Sequence, residues 1–238
     1  MADQSVIEQF KQGTTTWNEW KAKQPTAPLL DLSGTDFAEI NVHLEGMDLT
    51  FCNLRACNLS GCQASQVSFN FADLQGANLS RTNLRSADFG CADLSEALLA
   101  GAILRQANLD VANLTGANLN GADLSGATLA NTNLNQAILT GADLSRATFL
   151  QASLQGTDFS SCLLGGLTVF GDVDLSQARG LDRIKADGGP VILDIRSIYW
   201  SHGKIPESLL RAACFPESFL ALIPTLHFEE EDGDAKAQ

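Results

Sequence analysis

The sequence predicts an all-β solenoid, and three features of one stretch, from about His43 to Val169, carry that prediction. Every fifth residue from Leu44 to Val169 is large and apolar or nearly always so: of 26 positions, 20 are Leu and four are Phe (Phe69, Phe89, Phe149, Phe159). Two residues before each centre the side chain is small, with 15 Ala, three Thr and four Cys, and only Val42, Met47, Val67 and Leu167 larger. One residue before each centre, 15 of the 26 are Asp or Asn. Self-similarity at a fixed period outranks every other signal of fold. A period of five is too short for a helical repeat and does not match β alternation. Both apolar positions must face inward, while the Asp or Asn between them faces outward or bonds its own backbone, as such residues do in turns. The Gly, Ser, Gln, Arg and Glu two residues after the centre suit an exposed corner. Each unit thus makes one short side and one turn of a coil, stacked on its neighbours by backbone hydrogen bonds.

Taken from its start, the chain opens with a helical cap expected over residues 1–30. Val6, Ile7 and Phe10 recur at helical spacing, and Gly13 closes that turn. An N-cap is expected among Thr14 to Thr16, with Trp17 and Trp20 on one face and Pro25 and Pro28 ending the helix. A solenoid exposes apolar core and unpaired backbone at its ends. Covering the first coil is therefore the expected task of this segment, ahead of partner binding. The repeat itself begins earlier than Leu44: Leu32, Phe37 and Val42 follow Asp31, Asp36 and Asn41, and the register slips by two before Leu44. From there it reads without interruption to Val169.

Units such as Ala72-Asp73-Leu74-Gln75-Gly76, Ala77-Asn78-Leu79-Ser80-Arg81 and Ala122-Asp123-Leu124-Ser125-Gly126 resemble the A(D/N)LXX units of the pentapeptide repeat family. The resemblance covers about residues 31–180. It implies a right-handed quadrilateral β-helix with four units per coil, about seven coils and a length of roughly 35 Å at ~4.8 Å per coil.

Four units per coil place residues 20 apart in one column, which allows the surface to be read. Phe51, Phe71, Cys91 and Val111 share a corner column and should form an apolar stripe on a polar rod. Leu98 and Ile138 stand in another column where Asp or Asn is expected, Ile103 and Leu163 in the adjacent one, and Leu150 and Phe170 at a further outer position. Exposed apolar stripes mark contact surfaces. The contact can be internal, with the N-terminal helix folded back along Phe51 and Phe71 and the C-terminal segment over Leu150 and Phe170. Internal packing is the expectation, ahead of a protein partner or a second copy.

After Val169 the repeat loses register and ends near Gly180, leaving a capping module over 181–227. Pro190 to Ile198 alternates and is β-branched, which predicts an extended segment. Pro206 to Ala213 and Pro216 to Ile223 each begin with Pro followed by Glu, which predicts two short helices. Gly180-Leu181, Gly189-Pro190, Asp194-Ile195, Ser201-His202-Gly203-Lys204-Ile205-Pro206-Glu207 and Leu210-Arg211 are similar to a module that follows pentapeptide repeats in cyanobacterial-type proteins, often ahead of a Toll/interleukin-receptor-like domain. Here residues 228–238 are instead an acidic tail whose composition reads as disordered.

The net charge is −13, but the repeat from 44 to 169 carries only ten acids and five bases. Diffuse acidity argues against direct nucleic-acid binding, which needs clustered Lys and Arg. No apolar run approaches the ~20 residues needed to span a bilayer, and the N-terminus lacks a secretory signal, so a cytoplasmic, non-membrane protein is expected. Four of the six cysteines (Cys52, Cys57, Cys62, Cys162) replace Ala at the small position and read as buried apolar groups rather than metal ligands. His43, His202 and His227 fall in no metal or nucleophile motif, and no glycine-rich phosphate loop is present. No catalytic residue, cofactor or metal is expected. The function expected is a non-catalytic protein–protein interaction or scaffold role using one face of the rod, with Phe51, Phe71, Cys91, Val111, Leu98, Ile103 and Ile138 as candidate contact residues. The alternative comes from the resemblance: some family members act on type II topoisomerases by mimicking DNA with an acidic rod.

Overall fold

A computed structural model describes residues 4–24, 30–40, 42–186 and 189–223. Pro25, Pro28, Asn41, His227 and the acidic tail lie outside them. In chain order the elements are α1 (Gln4–Lys11), α2 (Thr14–Lys21), β1 (Leu30–Asp31), α3 (Phe37–Ile40), β2 (Cys52–Asn53), β3 (Thr148–Leu150), β4 (Leu163–Leu164), β5 (Thr168–Gly171), a 3₁₀ turn (Leu181–Arg183), β6 (Lys185–Ala186), β7 (Val191–Leu193), α4 (Ile195–Trp200), α5 (Glu207–Ala212) and α6 (Glu217–Leu220).

The coil is built from turns. Each central Leu accepts a hydrogen bond at its carbonyl from the amide three residues on, as Leu74 does from Ala77 (3.0 Å) and Leu124 from Ala127 (2.9 Å). The residue two after the centre has positive φ at every corner from Gly46 to Gly166. Positive φ at the third position of a hydrogen-bonded turn is the type II signature. Between corners, the Asp/Asn position forms one parallel bridge with its equivalent 20 residues on, for example Asp73↔Asp93, Asn78↔Leu98 and Ile103↔Asp123. That spacing is four units per coil. A side only this long holds a single bridge, so most of the ladder is isolated bridges rather than continuous strands. The intervening Asx side chain bonds its own turn, with Ser95 N–H donating to Asp93 Oδ1 at 2.9 Å, and the next coil, with Asn113 Nδ2 donating to the same oxygen at 3.0 Å.

Inside, the Leu centres and small residues are buried along the rod. Thr and Cys at the small position donate to the carbonyl of a central Leu in the coil before: Thr82 to Leu59 (2.7 Å), Thr132 to Leu109 (2.7 Å), Cys162 to Leu139 (2.9 Å). Thr35 belongs to the first coil and has no coil beneath it. Its buried Oγ1 has no hydrogen-bond partner among the described residues.

The two-residue slip before Leu44 is present: β1 pairs with β2 at Leu30↔Cys52, and Asp36 bridges Asn58, with α3 taking up the extra length. The loss of register expected after Val169 comes earlier, before it. Phe149 pairs with Phe170, one residue beyond the regular spacing, so Phe170 and not Val169 occupies the core. Gly165 and Gly166 (φ 157 and 57) absorb the added residue, which turns Leu167 out to 55% exposure. The slip puts Phe170 against Phe149 (centroids 5.0 Å) and lets the Thr168 hydroxyl donate to Leu144 O at 2.9 Å. Val169 at the centre would fill less of the core. The expected outer pairing of Leu150 with Phe170 therefore does not form: Phe170 is fully buried and Leu150 is left exposed. Beyond residue 180 the ladder continues, with β6 parallel to β4 and β7 parallel to β5.

Helices close both ends by offering side chains where a neighbouring coil would offer backbone. Trp17 Nε1 donates to Asp48 O (2.7 Å), Asn18 Nδ2 to Gly46 O (3.0 Å) and Thr14 Oγ1 to Glu45 O (2.9 Å), while Asp48 N–H donates to Asn18 Oδ1 (2.9 Å). Phe10 stacks on the buried Trp17 with centroids 3.8 Å apart. Gly13 takes the N-cap of α2, which leaves Thr14 free for Glu45, so the N-cap expected among Thr14 to Thr16 is corrected. At the other end the expected extended segment stops at Leu193. Asp194 Oδ1 accepts from Ser197 N–H (2.8 Å), an N-cap that turns Ile195 to Ile198 into helix α4 instead of strand. Helix α4 then sets Ser197 Oγ to accept from Val173 N–H (3.2 Å) and Ser201 Oγ to accept from Leu175 N–H (2.9 Å). Helices α5 and α6 form where Pro206 and Pro216 predicted them.

Candidate functional site

The corner column of Phe51, Phe71, Cys91 and Val111 stands on the rod surface, each residue in the left-handed conformation with φ of 56, 55, 57 and 63. Phe51 and Phe71 stack with centroids 4.9 Å apart and planes 9° from parallel. Phe51 is half-buried, Cys91 is exposed, and Phe71 and Val111 are 50% and 55% exposed. The N-terminal helices dock on the end of the rod at Glu45 to Asp48 and Phe71 stays 50% exposed, so among the described residues the expected internal packing against Phe71 does not form. A bulky or β-branched residue with positive φ is strained relative to glycine. At Val111 that strain is not offset by burial.

Asp48 and Asp88 occupy the side of the coil before this corner, Asp73 and Asp93 the side after it, and Asp110 the corner itself. Column arithmetic on the sequence contains this acidic flanking, but only the bridges reveal which sides adjoin the corner. Asp88 Oδ1 accepts from Gly90 N–H (3.0 Å) and Asn108 Nδ2 (2.8 Å), and Asp110 Oδ1 accepts from Ala130 N–H (2.8 Å). Neutral donors hold these carboxylates in place without cancelling their charge.

Leu98, Ile103 and Ile138 lie elsewhere, 45%, 41% and 38% exposed. Leu98 and Ile138 share one side, Ile103 stands on the next, and the corner between is Gly101, Gly121 and Gly141. The candidate residues thus form two separate surfaces. On the second, Arg105 Nε meets Asp123 Oδ2 at 2.5 Å. Burial works against ionisation of Asp123, but hydrogen bonds from Ser125 and Arg105 outweigh it and hold the carboxyl below its usual range.

Little here suits catalysis. Burial pushes the Cys52, Cys57 and Cys162 thiols up to about 12, which removes them as nucleophiles near neutrality. Among the described residues no group of three or more His, Cys, Asp and Glu could hold a metal ion. A surface hollow lined by Ser60, Gly61, Ser80, Arg81 and Ala100 contains a single charged group and no acid–base pair. Among the described residues no helix is long and apolar enough to cross a membrane.

A rod of stacked 20-residue coils, each built from four five-residue units, with helical ends defines a repeat protein whose surface, not an interior cleft, is available for recognition. The chain belongs to the pentapeptide repeat family: the profile described as Pentapeptide repeats (8 copies) matches residues 30–70, 65–98, 92–131 and 129–166. No curated protein matches in sequence. Among solved structures it is similar to HetL, a pentapeptide repeat protein involved in heterocyst differentiation regulation in the cyanobacterium Nostoc sp. strain PCC 7120, at 25% identity over 81% of this chain and 92% of that one, with a TM-score of 0.38. It is also similar to QnrB1, a plasmid-mediated fluoroquinolone resistance protein (16% identity, 78% and 93% covered, TM-score 0.43). A pentapeptide repeat protein of the Arabidopsis thaliana thylakoid lumen is 36% identical over 49% of this chain and 66% of that one, with a TM-score of 0.28. Family membership rests on the repeat match and not on these superpositions.

Proposed function

We propose that this chain is a non-catalytic protein–protein interaction or scaffold protein of the cytoplasm, and that its partner docks on the corner column of Phe51, Phe71, Cys91 and Val111. In this reading a right-handed body of about seven coils, residues 31–180, is a rigid platform, and 1–30 and 181–227 are its caps. The carrying observation is an apolar column whose Phe71, Cys91 and Val111 stay exposed at corners whose backbone disfavours such residues. A photoreactive crosslinker on Cys91, in a Cys214→Ser background, tests it in native extract. Adducts should form with the intact column and vanish in Phe71→Asn/Val111→Asn. Identical adducts from both proteins, or none from either, would overturn the reading.

The stacked carboxylates Asp73 over Asp93 and Asp123 over Asp143 favour a second reading, DNA mimicry toward a type II topoisomerase. Arg55 and Arg105 pair with two of those same carboxylates and dilute the acidic face. A gyrase supercoiling assay separates the two readings: inhibition or protection supports mimicry, and no effect removes it.

A further inference from the structure

We propose that the partner presented to the Phe51–Val111 column is a basic amphipathic α-helix, an inference that rests on the interaction role argued above. Charge and spacing both point there. The apolar ridge runs between two acidic rails, Asp48 and Asp88 on one side, Asp73 and Asp93 on the other, with Asp110 at the ridge. Arg55 answers Asp73 at 3.1 Å, whereas the oxygens of Asp88, Asp93 and Asp110 take neutral N–H donors. A ridge of this kind is complementary to an apolar stripe edged by Lys and Arg. It is not complementary to itself, because pairing two copies along the ridge would bring the rails together.

Spacing selects the helix over the strand. Four stacked corners span three coil steps, about 14 Å at ~4.8 Å each. Successive turns of one helix face are ~5.4 Å apart, so a helix drifts only about 2 Å out of step along the ridge. Same-face residues of a strand are ~6.7 Å apart and drift by about 6 Å over the same three steps. About three turns of helix, with one apolar residue per turn at i, i+4, i+7 and i+11, match the length of the column.

The test is fluorescence anisotropy with the full chain and three labelled peptides of about 14 residues. One is a Leu/Lys helix with its leucines on one face, one has the same composition with leucines spread around the helix, and one replaces Lys by Glu. The first should bind, and the other two at least about tenfold more weakly. Phe71→Asn/Val111→Asn should weaken the first by about tenfold or more, the scale of removing a central apolar contact pair. Asp93→Asn/Asp110→Asn should weaken it severalfold and flatten its salt dependence. Asn131 holds the same corner conformation one coil further on (φ 55), so the Asn variants keep the fold, which circular dichroism verifies. No binding of the Leu/Lys helix, equal binding of the spread-leucine peptide, or unchanged binding by the column variant would overturn the proposal. A wild-type dimer by sedimentation that the column variant dissolves would do so too, with a second copy as occupant. If Cys91 adducts from native extract persist while the Leu/Lys helix fails, the interaction role stands and only the class of partner falls.

Discussion

Single residues decide how adjacent coils meet at the corners. A Cβ added at Gly116 would lie 2.5 Å from Glu96 Oε1, whereas one added at Gly121 meets nothing within 4 Å, although both glycines have positive φ (68 and 62). Gly121→Ala should cost about 1 kcal/mol for the left-handed backbone alone. Gly116→Ala should cost more, because Glu96 must also move, and urea unfolding midpoints will rank the two. Thr35 provides a second contrast. Its hydroxyl is buried without a partner among the described residues, while that of Thr132 donates to Leu109 O. Thr35→Val should be neutral or stabilising by up to about 1 kcal/mol, and Thr132→Val destabilising by about 1 kcal/mol. Equal losses for both would show that the first coil satisfies Thr35 after all.

At the scale of the element, the helices act as substitutes for missing coils. Ser201 accepts the Leu175 N–H and donates to Ser197 O at 2.6 Å, and both serines are fully buried. Ser201→Ala strands a buried amide and should cost about 1–3 kcal/mol in thermal or urea unfolding. Helix α4 is also tied to the corner through Asp172, which accepts from Gln151 Nε2 (3.0 Å) and Trp200 Nε1 (2.9 Å) with Arg196 nearby. The Gln151 bond first, then Trp200 and the Arg196 charge, hold the Asp172 carboxyl below its ordinary 3.8. A depressed acid stabilises the fold fully above the ordinary value and loses that contribution as pH falls through the lower folded-state value. Acidification below about 3.8 should therefore shift Trp200 emission in the native protein, and Asp172→Asn should abolish the titration. An identical shift in that variant would detach the effect from Asp172.

For the whole molecule, a rod whose every side turns one large and one small residue inward buries its small-position thiols and leaves its corner and cap thiols out. Cys52, Cys57, Cys62 and Cys162 are buried, and Cys91 and Cys214 are exposed. Iodoacetamide at about pH 8 should label Cys91 and Cys214 in the native protein and all six after unfolding, read by mass spectrometry. Labelling of Cys57 without unfolding would mean that the first coils open independently, as a chain of nearest-neighbour units permits. The repeat was legible from sequence because inward positions largely keep one size class each: Leu54, Leu74 and Leu124 announce themselves, as do Cys52, Ala72 and Ala122 two residues earlier. So was the two-residue slip before Leu44, since Leu32 and Phe37 keep their spacing on the far side. Phe170 was misplaced because Val169 fits the period equally well, and the choice between them is made by core volume and by the Thr168 hydroxyl, neither of which a period records. Ser197, Ser201 and Asn18 were illegible for a related reason: each answers a backbone group some 24 to 30 residues away whose vacancy exists only once the coils are stacked. The apolar column could be counted out at intervals of 20 residues, but its exposure and its acidic flanks depend on which side meets which corner. Composition and period determine the coil, because they act through neighbours five residues apart; the ends and the surface are decided by stacking, because the groups that meet there are brought together by no local rule.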